Sequence, residues 1–165
     1  MTKFLLGVAI VAFTSFCGYV LTKKYRRRKL FFAQLREFNE RFLNEISYYR
    51  RPIAEFSSKY VYKGEFNEFL QDFFSALGKK QTPFVKELLD DPRYDFLAKE
   101  EKGVLDDYFQ MLGKGDSASQ KAYFSSVRER LAKLQTEADG AYKRYGDLYV
   151  KLGFLCGLLI LILII

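Results

Sequence analysis

The chain of 165 residues has no histidine, no tryptophan, two cysteines and three prolines. Each shortage excludes something. Without histidine there is no imidazole to serve as a general base near neutral pH or as a metal ligand. Cys17 and Cys156 both lie in apolar runs, far apart in sequence. They read as small apolar filler, and neither a structural disulfide nor an activated thiolate is expected. Pro52, Pro83 and Pro92 are placed to start or stop helices, which leaves long stretches uninterrupted. No stretch alternates in the way a strand requires.

Phosphate loops and carboxylate dyads are missing too. Gly78-Lys79-Lys80 and Gly113-Lys114 look like the end of a phosphate-binding loop, but Phe73 and Tyr108 occupy the place of its earlier glycine. Glu100-Glu101 and Asp106-Asp107 are sequence neighbours, which splay apart on a helix and form no catalytic pair. No catalytic residue, cofactor or metal site is expected, and the chain reads as a non-enzyme.

What is present is charge in one place and apolar residues in two. The net charge is +7. Lys23, Lys24, Arg26, Arg27, Arg28 and Lys29 supply six positive charges directly after an uncharged run from Phe4 to Thr22. That run measures about 28 Å as a helix, close to the roughly 30 Å hydrocarbon core of a bilayer. A second apolar run extends from Leu148 to Ile165, with Lys143, Arg144 and Lys151 upstream or at its edge. Positive residues beside a membrane segment stay on the cytoplasmic side. Both runs therefore predict a cytoplasmic middle and termini that point outward. The charge marks topology and contact with anionic lipid headgroups rather than nucleic-acid binding. Because the charge follows the first run, that run reads as an uncleaved anchor and not a secretory signal. The expected division is an N-terminal transmembrane helix over 1–22, a cytoplasmic bundle over 23–147 and a C-terminal transmembrane helix over 148–165.

Helical periodicity fills the middle. Phe31, Leu35, Phe38, Phe42, Ile46 and Tyr49 form one apolar stripe, predicting a first helix that continues from the membrane to about Arg50. Ile53, Phe56 and Tyr60 mark a short second helix. Phe66 to Leu77 marks a third, closed by Gly78. Thr82-Pro83 opens a fourth, with Phe84, Val85, Leu88 and Leu89 inward, and Asp90-Asp91-Pro92 stops it. A fifth runs from about Tyr94 to Leu112. Ser117 and Gln120 have the spacing of a capping box for a sixth helix that reaches Ile165. Along it Phe124, Val127, Leu131, Leu134, Ala138, Ala141, Tyr145, Leu148, Leu152 and Leu155 alternate steps of three and four, an unbroken heptad seam. The fold class is all-α: a six-helix antiparallel bundle whose long first and last helices continue into membrane anchors.

Two further patterns concern contacts. Thr14 with Gly18, and Gly153 with Gly157, have the small-xxx-small spacing that lets membrane helices approach closely, and Gly18 is expected near Gly153. Gly140 and Gly146 fall off the seam and read as tolerated exposed glycines, with a hinge as the alternative. Between Asp90 and Asp107 seven acids (Asp90, Asp91, Asp95, Glu100, Glu101, Asp106 and Asp107) face three bases. They form either a solvated helix face or an acidic docking surface for a basic partner. Gly113, Asp116 and Gln120 form either a tight capped turn or a second partner contact.

The turn Leu112-Gly113-Lys114-Gly115-Asp116 with Gln120, the heptad helix ending Leu148-Tyr-Val-Lys-Leu-Gly-Phe-Leu-Cys-Gly, the basic run and Glu45-Ile46 together resemble the stage III sporulation protein AB family of endospore-forming bacteria. Lys114-Gly115 fills a loop position that varies in the family. The family is similar in fold to the cytoplasmic domains of the F platform protein of type II secretion and type IV pilus systems. The resemblance implies a non-catalytic membrane platform in the channel complex between mother cell and forespore, needed for forespore development. Its partners would be channel proteins, including a cytoplasmic secretion-type ATPase, and its location the mother-cell membrane facing the forespore. The alternative from the residues alone is a tether or signalling protein that forms a homo-oligomer through the coiled-coil seam. Burial of Phe124 to Leu148 within the chain's own bundle separates the two.

Overall fold

The computed structural model describes residues 2–48, 59–78 and 85–164, all helix or short connection with no strand among them. Helix α1 spans Thr2–Tyr48, α2 Gly64–Gly78 and α3 Val85–Leu89. A 3-10 turn follows at Pro92–Tyr94, then α4 at Lys99–Gln110, α5 at Ser117–Ser126 and α6 at Arg128–Ile164. Only Val127 separates α5 from α6, and the hydrogen-bond ladder passes through it. The Val127 N–H donates to the Tyr123 carbonyl at 3.1 Å, and the Leu131 N–H to the Val127 carbonyl at 3.0 Å. With α5 and α6 counted as one, the described residues hold five helices. The expected second helix falls mostly on residues 49–58, outside the described residues, as do the end of the first helix at Arg50, the Thr82-Pro83 cap and Phe84.

The chain divides into a terminal unit, Met1–Lys29 with Thr136–Ile165, and a central unit, Leu30–Gln135. The central unit is built on rings. Phe31, Phe38, Phe66, Phe69, Phe73, Phe109 and Phe124 are all buried. Phe42 and Phe124 meet edge-to-face with centroids 4.9 Å apart, and so do Phe69 and Phe109 at 4.8 Å. Such pairs contribute about 0.5–1.5 kcal/mol each beyond the burial of their area. They are contributed by α1, α2, α4 and α5, so the helices meet through interlocking rings, with Leu35, Leu105 and Leu131 buried as well. Burial raises the Tyr62 and Tyr94 hydroxyls to about 12, and the fully buried Tyr108 hydroxyl rises well above its usual range.

In the terminal unit the two helices run antiparallel at backbone contact. A Cβ at Gly18 would overlap the Tyr149 carbonyl, and one at Gly153 the Thr14 carbonyl, with the Gly18 Cα 3.4 Å away. The expected meeting of Gly18 and Gly153 is thus present. Thr22 donates its hydroxyl to the Gly146 carbonyl at 3.0 Å. Asp139 bridges Lys29 at 2.7 Å and Lys143 at 3.0 Å. Among the described residues one helix is long and apolar enough to cross a membrane. It is the continuous Ser117–Leu163 helix, whose most apolar window has a mean hydropathy of 2.0 and is only 11% buried.

Four expectations are corrected. The fifth helix starts at Lys99 and not near Tyr94, because Asp91 caps a separate 3-10 turn by accepting the Arg93 N–H at 2.8 Å. The N-cap of α5 is Asp116 and not Ser117. The heptad seam does not remain a core along its whole length. Phe124, Leu131 (1% exposed) and Ala138 are buried, but Leu148, Leu152 and Leu155 (57% exposed) face outward. There the buried positions are Gly146 and Gly157, so Gly146 is not an exposed glycine. In lipid a leucine gains little by facing another helix, whereas a glycine lets two backbones touch.

Candidate docking surface on α4

Two linked local structures present α4. At its start, the Glu101 carboxylate turns back and accepts the Ala98 N–H at 2.8 Å. This is the reciprocal half of a capping box, and it leaves Glu101 only 4% exposed. At its end the chain turns through Gly113 (φ 80°) and Gly115 (φ 84°), a conformation that disfavours a Cβ. Asp116 then accepts the Ser119 N–H at 3.0 Å, and the Ser119 side chain, followed by this backbone bond, holds its carboxyl below the usual range. Gln120 reaches back to the Gly115 carbonyl at 3.5 Å.

The ten residues expected to bind a partner therefore separate. Glu101 is inside. Asp91 is tied to Arg93, whose guanidinium also reaches Asp72 at 2.9 Å and Glu68 at 3.4 Å on α2; the Arg93 contacts hold Asp91 below its usual pKa. Asp90 lies 4.0 Å from Lys102. Asp116, Gln120 and Gly113 shape the turn. Asp95, Glu100 and Asp107 are exposed and Asp106 is half-buried, with Asp106 accepting the Gln110 amide at 2.9 Å.

Asp107 opens onto a groove of about 370 Å³ between α4, the glycine turn and the α5–α6 helix. Val104, Tyr108, Val127 and Leu131 form its floor, and Asp107, Lys114 and Arg130 its charged rim. Met111 lines it and is 38% exposed. Tyr123 spans one edge, donating its hydroxyl to the Asp107 carbonyl at 3.2 Å. Burial, and then the nearby Asp107 charge, raise that hydroxyl's pKa.

The groove floor rests on a polar contact that no sequence motif announces. Asn39 on α1 is fully buried, donates to the Phe124 carbonyl at 3.3 Å and accepts the Tyr108 hydroxyl at 3.0 Å. An asparagine directly after Phe38, beside the apolar stripe, is the one available signal. Glu45 is also buried and pairs with Lys59 at 3.0 Å. Glu40 and Arg128 form an ion pair linking α1 to α6.

The sequence pattern of the family described as stage III sporulation protein AB matches residues 3–165. The chain belongs to that family. Membership gives it a role in stage III of sporulation, and the match runs through both units and the groove-forming turn. No curated protein and no solved structure matches the chain. The six cations expected to set topology, Lys23, Lys24, Arg26, Arg27, Arg28 and Lys29, all lie on α1 in the terminal unit.

Proposed function

We propose that the protein is a non-catalytic membrane platform of the sporulation channel complex between mother cell and forespore. Its terminal unit anchors both ends in the mother-cell membrane, with the central unit on the cytoplasmic side. The surface of α4 and the adjoining groove dock a cytoplasmic secretion-type ATPase. The observation that carries this reading is the groove. It pairs an apolar floor and an exposed methionine with a charged rim, the combination of buried anchor and polar edge that protein partners use. The anchoring is supported by the apolar surface that α6 leaves exposed.

The test is recovery of that ATPase, identified by immunoblot, with the full chain from sporulating membranes. The wild type should recover it, and Asp106→Lys with Asp107→Lys should recover at most a tenth as much. Equal recovery would remove the docking surface from α4. The homo-oligomer reading is less favoured, because Phe124, Leu131 and Ala138 are buried within the chain itself.

A further inference from the structure

The whole net charge of the protein resides in one unit. The terminal unit carries ten basic and three acidic residues, and the central unit seventeen of each. Of the three acids, Asp139 is committed to Lys29 and Lys143. Lys23, Lys24 and Arg26 on α1, and Arg144 and Lys151 on α6, are exposed and have no acidic partner among the described residues.

The helix register puts these cations in one place. The Thr22–Gly146 hydrogen bond and the Lys29–Asp139 bridge set Lys23 to Arg26 level with the α6 turn that holds Arg144. Exposed apolar surface begins at once on the other side: Val20 and Leu21 on α1, Leu148 and Leu152 on α6. Tyrosines sit at the same boundary. Tyr19 is exposed, and Tyr25 packs on both Tyr145 and Tyr149 with centroids 5.2 and 5.9 Å away. Tyrosines at such a level belong to the interfacial zone of a bilayer. Lys151 lies deeper and is long enough to extend its ammonium group back to that level.

We propose that this collar binds the phosphate headgroups of anionic phospholipids in the membrane that the protein crosses. The inference rests on the membrane reading above and adds a lipid preference to it. Unpaired cations directly above bare apolar surface fit a ligand with a charged head and acyl chains. A free phosphate or a nucleic acid would leave the apolar part uncovered.

The full chain, reconstituted in vesicles, would be probed with spin-labelled phosphatidylglycerol and phosphatidylcholine. The protein should hold the anionic lipid several-fold more strongly at low salt, and high salt should bring the two close to equal, because screening shortens the reach of exposed charges. Lys23→Gln, Lys24→Gln, Arg26→Gln, Arg144→Gln and Lys151→Gln combined should abolish the preference while the protein stays inserted. Equal retention of both lipids by the inserted wild type, or a preference that survives the five substitutions, would overturn the proposal and leave the membrane reading standing. Loss of the preference to inorganic phosphate at constant ionic strength would assign the collar to free phosphate and also overturn it. A chain that does not insert at all would overturn both.

Discussion

Tyr108 donates its hydroxyl to Asn39 across 3.0 Å at a fully buried site, and this bond couples the floor of the groove to α1. Tyr108→Phe leaves the Asn39 oxygen buried without its donor and should cost about 1–3 kcal/mol. Asn39→Leu combined with Tyr108→Phe removes both polar groups and should cost less than the sum of the single changes. Thermal unfolding of the full chain in detergent, followed by circular dichroism, measures both. Strict additivity would mean that the two residues do not act as a pair.

The cap assignment can be checked in the same way. Asp116→Ala should lower the melting temperature, whereas Ser117→Ala should leave it nearly unchanged, because the Ser119 N–H bonds to Asp116. The reverse order would restore Ser117 as the cap.

These details show what the sequence conveys and what it does not. Helical periodicity and the two apolar ends are readable directly, because 3.6-residue spacing needs no tertiary information. The α5 cap is ambiguous by one residue, because Asp116 and Ser117 are adjacent and both are good caps. The start of α4 reads too early because Tyr94, Phe96 and Leu97 are buried from a turn and a bend, and burial mimics helix periodicity over so short a stretch. The heptad seam would extend through the apolar C-terminal run only if its apolar residues faced inward, and Leu148, Leu152 and Leu155 are exposed instead. The acidic set cannot be sorted from sequence, since only the fold shows that Glu101 turns inside and that Asp91 is held by Arg93.

Backbone contact in the terminal unit predicts asymmetric tolerance among its glycines. Gly18→Val drives a side chain into the Tyr149 carbonyl, which cannot move aside as a flexible side chain would. It should abolish the disulfide that otherwise forms between Thr22→Cys and Gly146→Cys when Cys17 and Cys156 are replaced by serine. Gly140 meets open space, so Gly140→Ala should preserve that crosslink and raise stability by about 0.5–1 kcal/mol. Crosslinking in native membranes distinguishes the two, and efficient disulfide formation in the Gly18→Val protein would contradict the close approach.

The response to pH follows from four carboxylates held below their usual pKa. They are Glu40 by Arg128, Asp91 by Arg93, Asp116 by Ser119, and Asp139 by Lys29 and then Lys143. A folded-state pKa below the unfolded value means that the stabilisation is complete above the unfolded pKa, and that it is lost as pH falls through the lowered one. Stability should be flat from about pH 8 to about pH 5, since no histidine titrates there. It should decline below the ordinary carboxyl values of 3.8 and 4.5. Arg128→Met should flatten the acid limb by removing the contribution of Glu40. An equally steep limb would show that this pair contributes nothing.

Docking of an ATPase at the α4 groove, as proposed, is read by site-specific photo-crosslinking in sporulating cells. A photoreactive residue at Met111, inside the groove, should yield an adduct that contains the secretion-type ATPase. The same residue at Val61, which is 85% exposed and lines a different groove on the central unit, should not. An adduct from Val61 and none from Met111 would place the ATPase at the other groove and overturn docking at α4.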